Sequence, residues 1–310
     1  MSQSLPRVGI GIPVYNGERY IEEAITSILE QVYQDFELII SDNASTDRTA
    51  DICGRYARSD SRIRYYRNEK NLGAAPNYNR VFQLSTAEYF KWADYDDLIS
   101  PDFLSRCVEV LDQNPSVVLC YPRAMIIDEN GNQLGEHDYV IKLDSPHAHI
   151  RFQQLALHPA TAFEVSGLIR SSAARKTALH GSFPASDLVF LAELALQGPF
   201  YETPEILFYP RYHSRQSARV MPVERNRVLF FDTSFEGRVV MPKWQYLFDY
   251  LRAINRGSIN LYQRIFCYFQ MLRWALMPDH FRALGKDLLL AGQKLILRIL
   301  SKLRAKSQPA

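Results

Sequence analysis

Three aspartates, Asp94, Asp96 and Asp97, stand within the four residues 94–97, directly after the apolar segment 89–93. Their carboxylate oxygens are the ligands that Mg²⁺ and Mn²⁺ prefer in proteins. A divalent cation held there could neutralise the negative charge that develops on a departing diphosphate. The same spacing by itself also suits a solvated turn before a helix. The turn therefore predicts a metal and diphosphate site only in combination with other motifs.

A second acidic turn, residues 42–47, follows the apolar segment 36–41. Asp42 stands directly at the predicted strand end, where its carboxylate could accept a hydrogen bond from a nucleobase N–H or a ribose hydroxyl. Helix capping is the alternative, because Ser45 or Asp47 could cap the helix predicted over 48–58. We assign capping to Asp47 and keep Asp42 as a candidate nucleoside contact.

Both turns belong to a repeating pattern of strands and helices. Short β-branched or apolar runs predict strands, and apolar residues three and four apart predict helices. The predicted strands are 7–13, 36–41, 62–67 and 89–93, and the predicted helices are 17–31, 48–58 and 78–84. This alternation favours an α/β fold with a doubly wound, mainly parallel sheet and helices on both faces. Ligands of such sheets bind beyond the carboxyl ends of the strands, where both acidic turns fall.

The loops carry motifs that resemble those of family 2 glycosyltransferases, whose catalytic domain has the GT-A fold. The matching segments are Pro13-Val14-Tyr15-Asn16-Gly17, residues 41–47, Asn71-Leu72-Gly73 with Asn79, Asp94-Tyr95-Asp96-Asp97, Gly167-Leu168-Ile169-Arg170, Ser186-Asp187 and Arg211-Tyr212-His213. The resemblance covers about residues 5–220. It implies a non-processive, inverting enzyme that moves a sugar from a nucleotide-diphosphate donor, with UDP favoured, onto a hydroxyl of a saccharide or lipid-linked glycan.

The resemblance also implies roles for single residues. Those that it places around the donor are Pro13, Tyr15, Glu18, Asp42, Asn71, Asn77 and Asp94. It assigns Asp94 and Asp96 to the ribose, the diphosphate and a Mn²⁺ or Mg²⁺ ion, with His213 as a further candidate ligand; a lone histidine is also often structural. Asp187 matches the general base of the family, and the N-terminus of its predicted helix would keep its carboxylate ionised. A helix N-cap is the alternative for Asp187.

Aromatic-rich helices replace the alternation after about residue 220. We therefore predict a GT-A catalytic domain over 1–220 and a C-terminal helical extension over 221–310. Gln270, Arg273 and Trp274 match the Q-x-x-R-W string of processive polysaccharide synthases. Because the string lies inside an aromatic helix, we favour a packed helix over a synthase element.

The net charge of +2 is unevenly distributed, because residues 285–310 hold six basic and one acidic side chain. The predicted helix over 285–306 places apolar and basic residues on adjacent stripes; these are Leu288, Leu295, Ile299 and Leu303, beside Lys294, Arg298, Lys302 and Lys306. A basic amphipathic helix of this kind predicts attachment to an anionic membrane surface. Packing of the helix on the catalytic domain is the alternative.

Composition limits the remaining classes. With 47% hydrophobic and 23% charged residues, the chain is typical of a globular protein. Basic charge confined to one end does not favour a nucleic-acid binder. The four cysteines lie far apart and predict neither a zinc nor a redox site. With no apolar run of about 18 residues and no signal sequence, we expect a cytoplasmic protein, peripheral on the inner face of the membrane if its tail binds there.

Two other functions stay open at this point: a non-catalytic nucleotide-sugar-binding GT-A domain, and a subunit similar to a processive polysaccharide synthase. A nucleotidyltransferase is disfavoured, because it would need a glycine-rich phosphate loop containing arginine after the first strand. Residues 13–16 do not supply such a loop.

Overall fold

The computed structural model describes residues 5–138, 141–158, 162–214, 228–236 and 238–306, with the backbone alone for 297–306. The strands are β1 (Val8–Val14), β2 (Phe36–Asp42), β3 (Ile63–Arg67), β4 (Tyr89–Trp92), β5 (Leu98–Ile99), β6 (Leu119–Ile127), β7 (Gln133–His137), β8 (Leu168–Arg170) and β9 (Phe200–Tyr209). The helices are α1 (Ile21–Leu29), α2 (Thr49–Ser59), α3 (Ala74–Leu84), α4 (Phe103–Gln113), α5 (Ala148–Leu157), α6 (Ser171–Ala174), α7 (Ser186–Gln197), α8 (Val228–Phe231), α9 (Pro242–Arg256), α10 (Leu261–Leu276) and α11 (Pro278–Lys306).

All these strands join one mixed sheet in the order β3-β2-β1-β4-β8-β6-β9-β5, with β7 paired to β6. The first half of the sheet is parallel, since β1 pairs in parallel with β2 and β4, and β2 with β3. In the second half β6 and β9 are parallel, whereas β8 runs antiparallel to both β4 and β6. The predicted doubly wound, mainly parallel α/β sheet is confirmed.

Successive residues of β1 face opposite sides of the sheet, and helices cover both sides. Ile10 and Ile12 point into a core that also contains Ile21 and Ile25 of α1. The intervening Gly11 faces α3, and a Cβ atom on it would come within 2.6 Å of the Val81 side chain. A glycine is therefore needed here so that α3 can pack closely on β1.

Two predicted helices have different bounds in the structure. The helix predicted over 17–31 begins only at Ile21, because Gly17 starts a tight turn whose carbonyl accepts the backbone N–H groups of Tyr20 and Ile21 at 3.1 and 3.0 Å. The helix predicted over 78–84 begins earlier, at Ala74. Pro76 falls in its first turn, where proline costs no hydrogen bond.

Of the two residues that could cap α2, Ser45 and Asp47, only Asp47 bonds the start of the helix. The N-cap position is Arg48, so Ser45 does not cap the helix. Asp47 stands one residue earlier, and its Oδ1 accepts the backbone N–H of Thr49, the first helical residue, at 3.0 Å. Asp47 therefore accepts a hydrogen bond from the first N–H group of the helix, although it lies just outside the helix.

The C-terminal helices pack directly on the first part of the chain. Tyr250 of α9 and Trp274 of α10 lie in one hydrophobic cluster with Phe152 of α5 and Phe190 of α7. Gln270 and Trp274 are both buried, so the interpretation of this string as a packed helix is confirmed. The predicted domain boundary near residue 220 lies outside the described residues.

The predicted helix over 285–306 is the C-terminal part of α11. Its beginning packs on the core, where Leu284 is buried and its carbonyl accepts the indole N–H of Trp244 at 3.0 Å. Farther along, Leu288 and Leu295 are exposed. Ile299, Leu303 and the basic residues from Arg298 onward lie outside the described side chains. Along the described part of the chain, no helix has the length and apolar character needed to cross a bilayer.

Candidate active site

The carboxyl ends of β1, β2 and β4 bring the predicted motifs to one edge of the sheet. Val14 and Asp42 are direct partners in the β1–β2 ladder, so the loops after these strands leave the sheet side by side. The backbone N–H of Asn43 donates to the Val14 carbonyl at 2.8 Å, and that of Ala93 donates to the Gly11 carbonyl at 2.9 Å. The acidic turn 94–97 therefore begins next to the loops after β1 and β2.

Asp42 lies beneath the loops at this edge of the sheet and is not exposed between them. Its side chain is fully buried. Oδ1 accepts the Ser45 backbone N–H and Oδ2 accepts the Tyr65 hydroxyl, both at 2.8 Å, with Arg67 Nε 3.6 Å away. Burial and the hydrogen bond to Asp42 raise the pKa of Tyr65. In this structure Asp42 shapes the turn, and its predicted contact with a nucleoside stays a prediction.

The loop after β1 is tied to the turn after β2 by reciprocal hydrogen bonds. Asp47 Oδ2 accepts the backbone N–H of Glu18 at 3.1 Å, and Glu18 Oε2 accepts that of Arg48 at 3.0 Å. Pro13 is buried within β1, whereas the Tyr15 ring is 41% exposed. Of these predicted donor residues, Tyr15 and Glu18 are therefore exposed, whereas Pro13 lies inside the strand; their contacts with a donor stay predictions.

A network of asparagines, of which the sequence indicated only part, lies beneath the same loops. The Asn77 amide is buried and bonds Ser41 on both sides, accepting its hydroxyl at 2.7 Å and donating to its carbonyl at 2.8 Å. Asn43 donates to the Asn71 side-chain carbonyl at 2.9 Å and accepts from Asn68 at 2.9 Å. Asn77 therefore holds the strand end, and Asn71 is fixed through Asn43.

The acidic turn divides its carboxylates among three partners. Asp94 Oδ1 accepts the hydroxyl of Tyr78, Asp96 Oδ2 lies 2.8 Å from His213 Nε2, and Asp97 Oδ1 accepts the backbone N–H of Arg211 at 2.8 Å. Burial, and then the charge of Asp96, raise the pKa of Asp94 to about 6. Burial also raises the pKa of Asp97, with Asp96 and Asp94 adding to the shift.

Arg211 is the residue that anchors this turn, and the sequence assigned it no role. Its side chain is 1% exposed, and its Nε donates to the Asp96 carbonyl at 2.8 Å. Nη2 donates to Glu23 Oε2 at 2.6 Å, and the guanidinium lies 4.6 Å from the centre of the Tyr20 ring. Its place directly before Tyr212 and His213 in a matched motif was the only available signal.

His213 is buried next to Asp96, and its ring centre lies 5.1 Å from that of Tyr20. A carboxylate oxygen and an imidazole nitrogen are donors that Mn²⁺ accepts, so this pair fits a divalent cation. Within the described residues, no three His, Cys, Asp or Glu side chains are already grouped as a metal site. The predicted trio of Asp94, Asp96 and His213 is therefore only partly assembled, because Asp94 bonds Tyr78.

Asp187 is the second residue of α7, where the N-cap position is Ala185 with a left-handed φ of 64°. The alternative that Asp187 caps the helix is therefore wrong. Its Oδ1 accepts the neighbouring Leu188 backbone N–H at 3.0 Å. After burial and Asp96, the charge of Asp187 is a further contribution that raises the pKa of Asp94. The role of Asp187 as the general base stays a prediction.

Comparison with known proteins agrees with this geometry. The model of the family described as Glycosyl transferase family 2 matches residues 10–176, more than half of the chain. The chain belongs to glycosyl transferase family 2. An uncharacterized glycosyltransferase of Haemophilus influenzae is 27% identical over 232 residues, which are 72% of this chain and 71% of that protein. One of Methanocaldococcus jannaschii is 32% identical over 133 residues, 42% of this chain and 46% of that protein, so the match spans only about half of that relative.

Solved structures share the fold of this family 2 chain. Staphylococcal (S. aureus) TarS in complex with UDP-GlcNAc has a TM-score of 0.64 at 14% identity, covering 92% of this chain and 81% of that chain. The mannosyltransferase PcManGT of Pyrobaculum calidifontis, in complex with GDP-Man and Mn²⁺, has a TM-score of 0.52 at 16% identity, covering 94% and 87%. The resemblance to family 2 and the GT-A fold are thereby confirmed, and the protein is a glycosyltransferase.

One buried carboxyl group, that of Glu164, had no role in the sequence analysis. Glu164 lies in the 3₁₀ turn Phe163–Ser166, directly before the Gly167 motif, and it is 1% exposed. Within the part of the chain that the structure describes, its Oε2 accepts no hydrogen bond. Burial raises the pKa of Glu164 to about 7, and the charge of Asp187 adds to the shift. A glutamate in a mixed polar segment gives no sequence signal of burial.

Proposed function

We propose that this glycosyltransferase moves a sugar from a nucleotide-diphosphate donor, UDP-linked by preference, to a hydroxyl of a saccharide or lipid-linked glycan, with inversion at the anomeric carbon. The observation that carries the proposal is the contact between Asp96 and His213, held by the buried Arg211, in a site that also contains the carboxylate of Asp187. The basic charge of residues 285–306 supports a cytoplasmic protein that works at the inner face of a membrane.

We assign Asp96 and His213 to Mn²⁺ or Mg²⁺, and Asp94 to the cation or to the ribose beside it. When bound, the cation would stabilise the negative charge of the leaving diphosphate. Asp96 is positioned for this by Arg211, which holds its carbonyl, while Tyr78 holds the carboxylate of Asp94. Two protein donors in direct contact leave the other coordination positions to donor oxygens and water, as is usual for Mg²⁺ at a phosphate.

We assign the nucleoside to the loop after β1. The Tyr15 ring is exposed and can lie against a nucleobase, and the exposed Glu18 is fixed through Arg48. Asp42, Asn71 and Asn77 act from behind as positioning residues. Their hydrogen bonds keep the ends of β2 and β3 and the loop at 71–73 in place, which supports a preformed donor pocket.

Asp187 is assigned as the general base. It would take the proton of the acceptor hydroxyl while that oxygen forms a bond to the anomeric carbon, and the bond from this carbon to the diphosphate oxygen would break on the opposite side. The nucleoside diphosphate leaves with the bonding electron pair, and one attack from the opposite face gives inversion. Its place in the first turn of α7 supports an ionised carboxylate, because backbone N–H groups point towards it.

The two alternatives have less support. A processive synthase-like subunit would use the string around Gln270 and Trp274, yet both side chains are buried against the core. A non-catalytic binding domain would need Asp96 and His213 but would have no use for Asp187 opposite them. A measurement of turnover therefore distinguishes a non-catalytic binding domain from an enzyme.

The test is a panel of nucleotide sugars with Mn²⁺ or Mg²⁺, in which release of free nucleoside diphosphate is followed for the wild type, Asp96→Ala and Asp187→Asn. Asp279→Asn is the matched control, because Asp279 is 95% exposed and remote in sequence from Asp96 and Asp187. We expect metal-dependent release from one donor that is lost in both site variants and kept in the control. Release by Asp187→Asn at the wild-type rate would refute the base, and no turnover with any donor would favour the binding domain.

A further inference from the structure

Helix α10 carries a continuous apolar stripe on its exposed side. Its members are large, and each is more than half exposed; they are Leu261, Tyr262, Ile265, Phe269, Leu272 and Leu276. Steps of three and four residues keep them on one face of the helix. The opposite face is buried, through Cys267, Met271 and Trp274, so α10 is apolar on both sides. A helix that is packed on only one side leaves the other apolar face for a partner.

Helix α11, which follows directly, also carries exposed apolar residues. Met277 alone separates the two helices, and the rings of Trp274 and His280 stack across the junction at 4.0 Å. Over the part of α11 whose side chains are described, residues 278–296, the large exposed apolar residues are Phe281, Leu288, Leu289, Leu295 and Ile296. Seven-residue steps place Phe281, Leu288 and Leu295 in one line along the helix. We call the exposed apolar residues of α10 and α11 together the α10–α11 surface.

Basic charge surrounds the α10–α11 surface. Residues 261–306 contain nine lysines and arginines and two aspartates. One of the two, Asp287, is buried and accepts the backbone N–H of Lys243 at 2.8 Å. Arg273, Lys286 and Lys294 are exposed beside the apolar stripes. An apolar face flanked by lysine and arginine is the pattern of helices that lie in the interface of an anionic bilayer.

We propose that the α10–α11 surface docks on an anionic lipid bilayer, with α10 as the main apolar contact and α11 as the main basic one. The sequence alone indicated only residues 285–306, because α10 has the composition of a packed helix. A second copy of the chain is the less suitable occupant, since an isologous contact would bring the same basic segment against itself. This inference does not depend on the transfer reaction, because binding to a bilayer is measured without a donor.

The test is sedimentation of the full chain with vesicles of phosphatidylglycerol and phosphatidylcholine, or of phosphatidylcholine alone. We expect binding to the anionic vesicles that weakens at high salt, and little binding to the neutral ones. The double variant Ile265→Ser with Phe269→Ser should bind about tenfold or more weakly. Each of Lys286→Gln and Lys294→Gln should weaken binding about fivefold.

The matched control is Val32→Ser with Leu134→Ser, which removes two side chains exposed at 63% and 61% outside the α10–α11 surface. It should bind like the wild type, and thermal unfolding of all variants checks that they are folded. Equal binding by the Ile265 and Phe269 variant, or no binding to either vesicle, would overturn the proposal. So would a dimer in solution, measured by light scattering, that dissociates in this variant while no vesicle binding occurs.

Discussion

Replacement of Arg211 by methionine should damage both the stability of the protein and its acidic turn. The guanidinium is buried, and it donates to the carbonyls of Asp96 and Glu129 and to the carboxylate of Glu23. Arg211→Met keeps most of the apolar stem but leaves the Asp96 carbonyl without this donor. The turn that carries Asp96 would then still be held at residue 211 through the backbone N–H that Asp97 accepts, but no longer through the Asp96 carbonyl.

The magnitude follows from these contacts. Hydrogen bonds from a charged donor contribute about 1.5–3 kcal/mol each, and removal of one partner of a buried charged pair costs about 3–5 kcal/mol. The carboxylate of Glu23 is 54% exposed and regains water, so its share is small. The two hydrogen bonds to the carbonyls of Asp96 and Glu129 remain to be counted, so we expect Arg211→Met to lower the free energy of unfolding by about 3–6 kcal/mol, a large fraction of the usual total.

Urea unfolding of the wild type, Arg211→Met and a control, Arg106→Met, measures this loss. Arg106 forms ion pairs with Glu109 and Glu205 but is half-exposed, so its replacement should leave the free energy of unfolding close to the wild-type value. Mn²⁺ should also increase the affinity for a nucleoside diphosphate less in folded Arg211→Met than in the wild type, because Arg211 no longer holds Asp96. An unfolding free energy within about 1 kcal/mol of the wild type, with unchanged metal-dependent binding, would refute the role of Arg211.

Two further predictions concern Glu164 and Gly73. Because the pKa of Glu164 is raised from 4.5 to about 7, the folded protein holds a proton in this range that the unfolded chain releases, so stability falls as the pH rises. Between about pH 5 and about pH 8, the free energy of unfolding should fall by about 3 kcal/mol less in Glu164→Gln than in the wild type. Equal pH profiles of unfolding for the two proteins would contradict this prediction. Gly73 has a φ of 92°, and an added Cβ would lie 2.6 Å from the Phe231 carbonyl, whereas Gly131 has a φ of 86° and open space. Gly73→Ala should therefore destabilise by at least about 1 kcal/mol more than Gly131→Ala in urea unfolding, and equal losses would mean that the contact with Phe231 gives way freely.

The parallel half of the sheet and the place of the site were predictable from the sequence, because local pattern determines them. The predominantly apolar sequence of β2 is typical of a strand buried on both faces, and Asp42 ends it as predicted. The site then follows from topology, since the ends of parallel strands meet at one edge. Seven motifs that resemble one family predicted Asp96, His213 and Asp187 as parts of one site, and the structure places Asp96 and His213 in contact.

The remaining features depend on contacts between distant segments. Arg211 reaches Glu23 across 188 positions of the chain, and no local pattern marks an arginine as buried. Burial of Asp42 and Asn77 depends on Tyr65 and Ser41 in neighbouring strands, so sequence reasoning placed both residues on the surface of the pocket. The exposed side of α10 could not be predicted either, because an apolar residue looks the same in sequence whether it faces a core or a partner.

We assign separate roles to the residues of the site: Asp96 and His213 bind the metal that contacts the diphosphate, and Asp187 takes the proton of the acceptor. Titration calorimetry of UDP, and then GDP, with and without Mn²⁺ tests this assignment on the wild type, Asp96→Asn and Asp187→Asn. We predict that Mn²⁺ strengthens binding of one of the two nucleotides to the wild type and to Asp187→Asn, and that this gain disappears in Asp96→Asn. A gain that survives in Asp96→Asn, or that is lost in Asp187→Asn, would contradict this assignment.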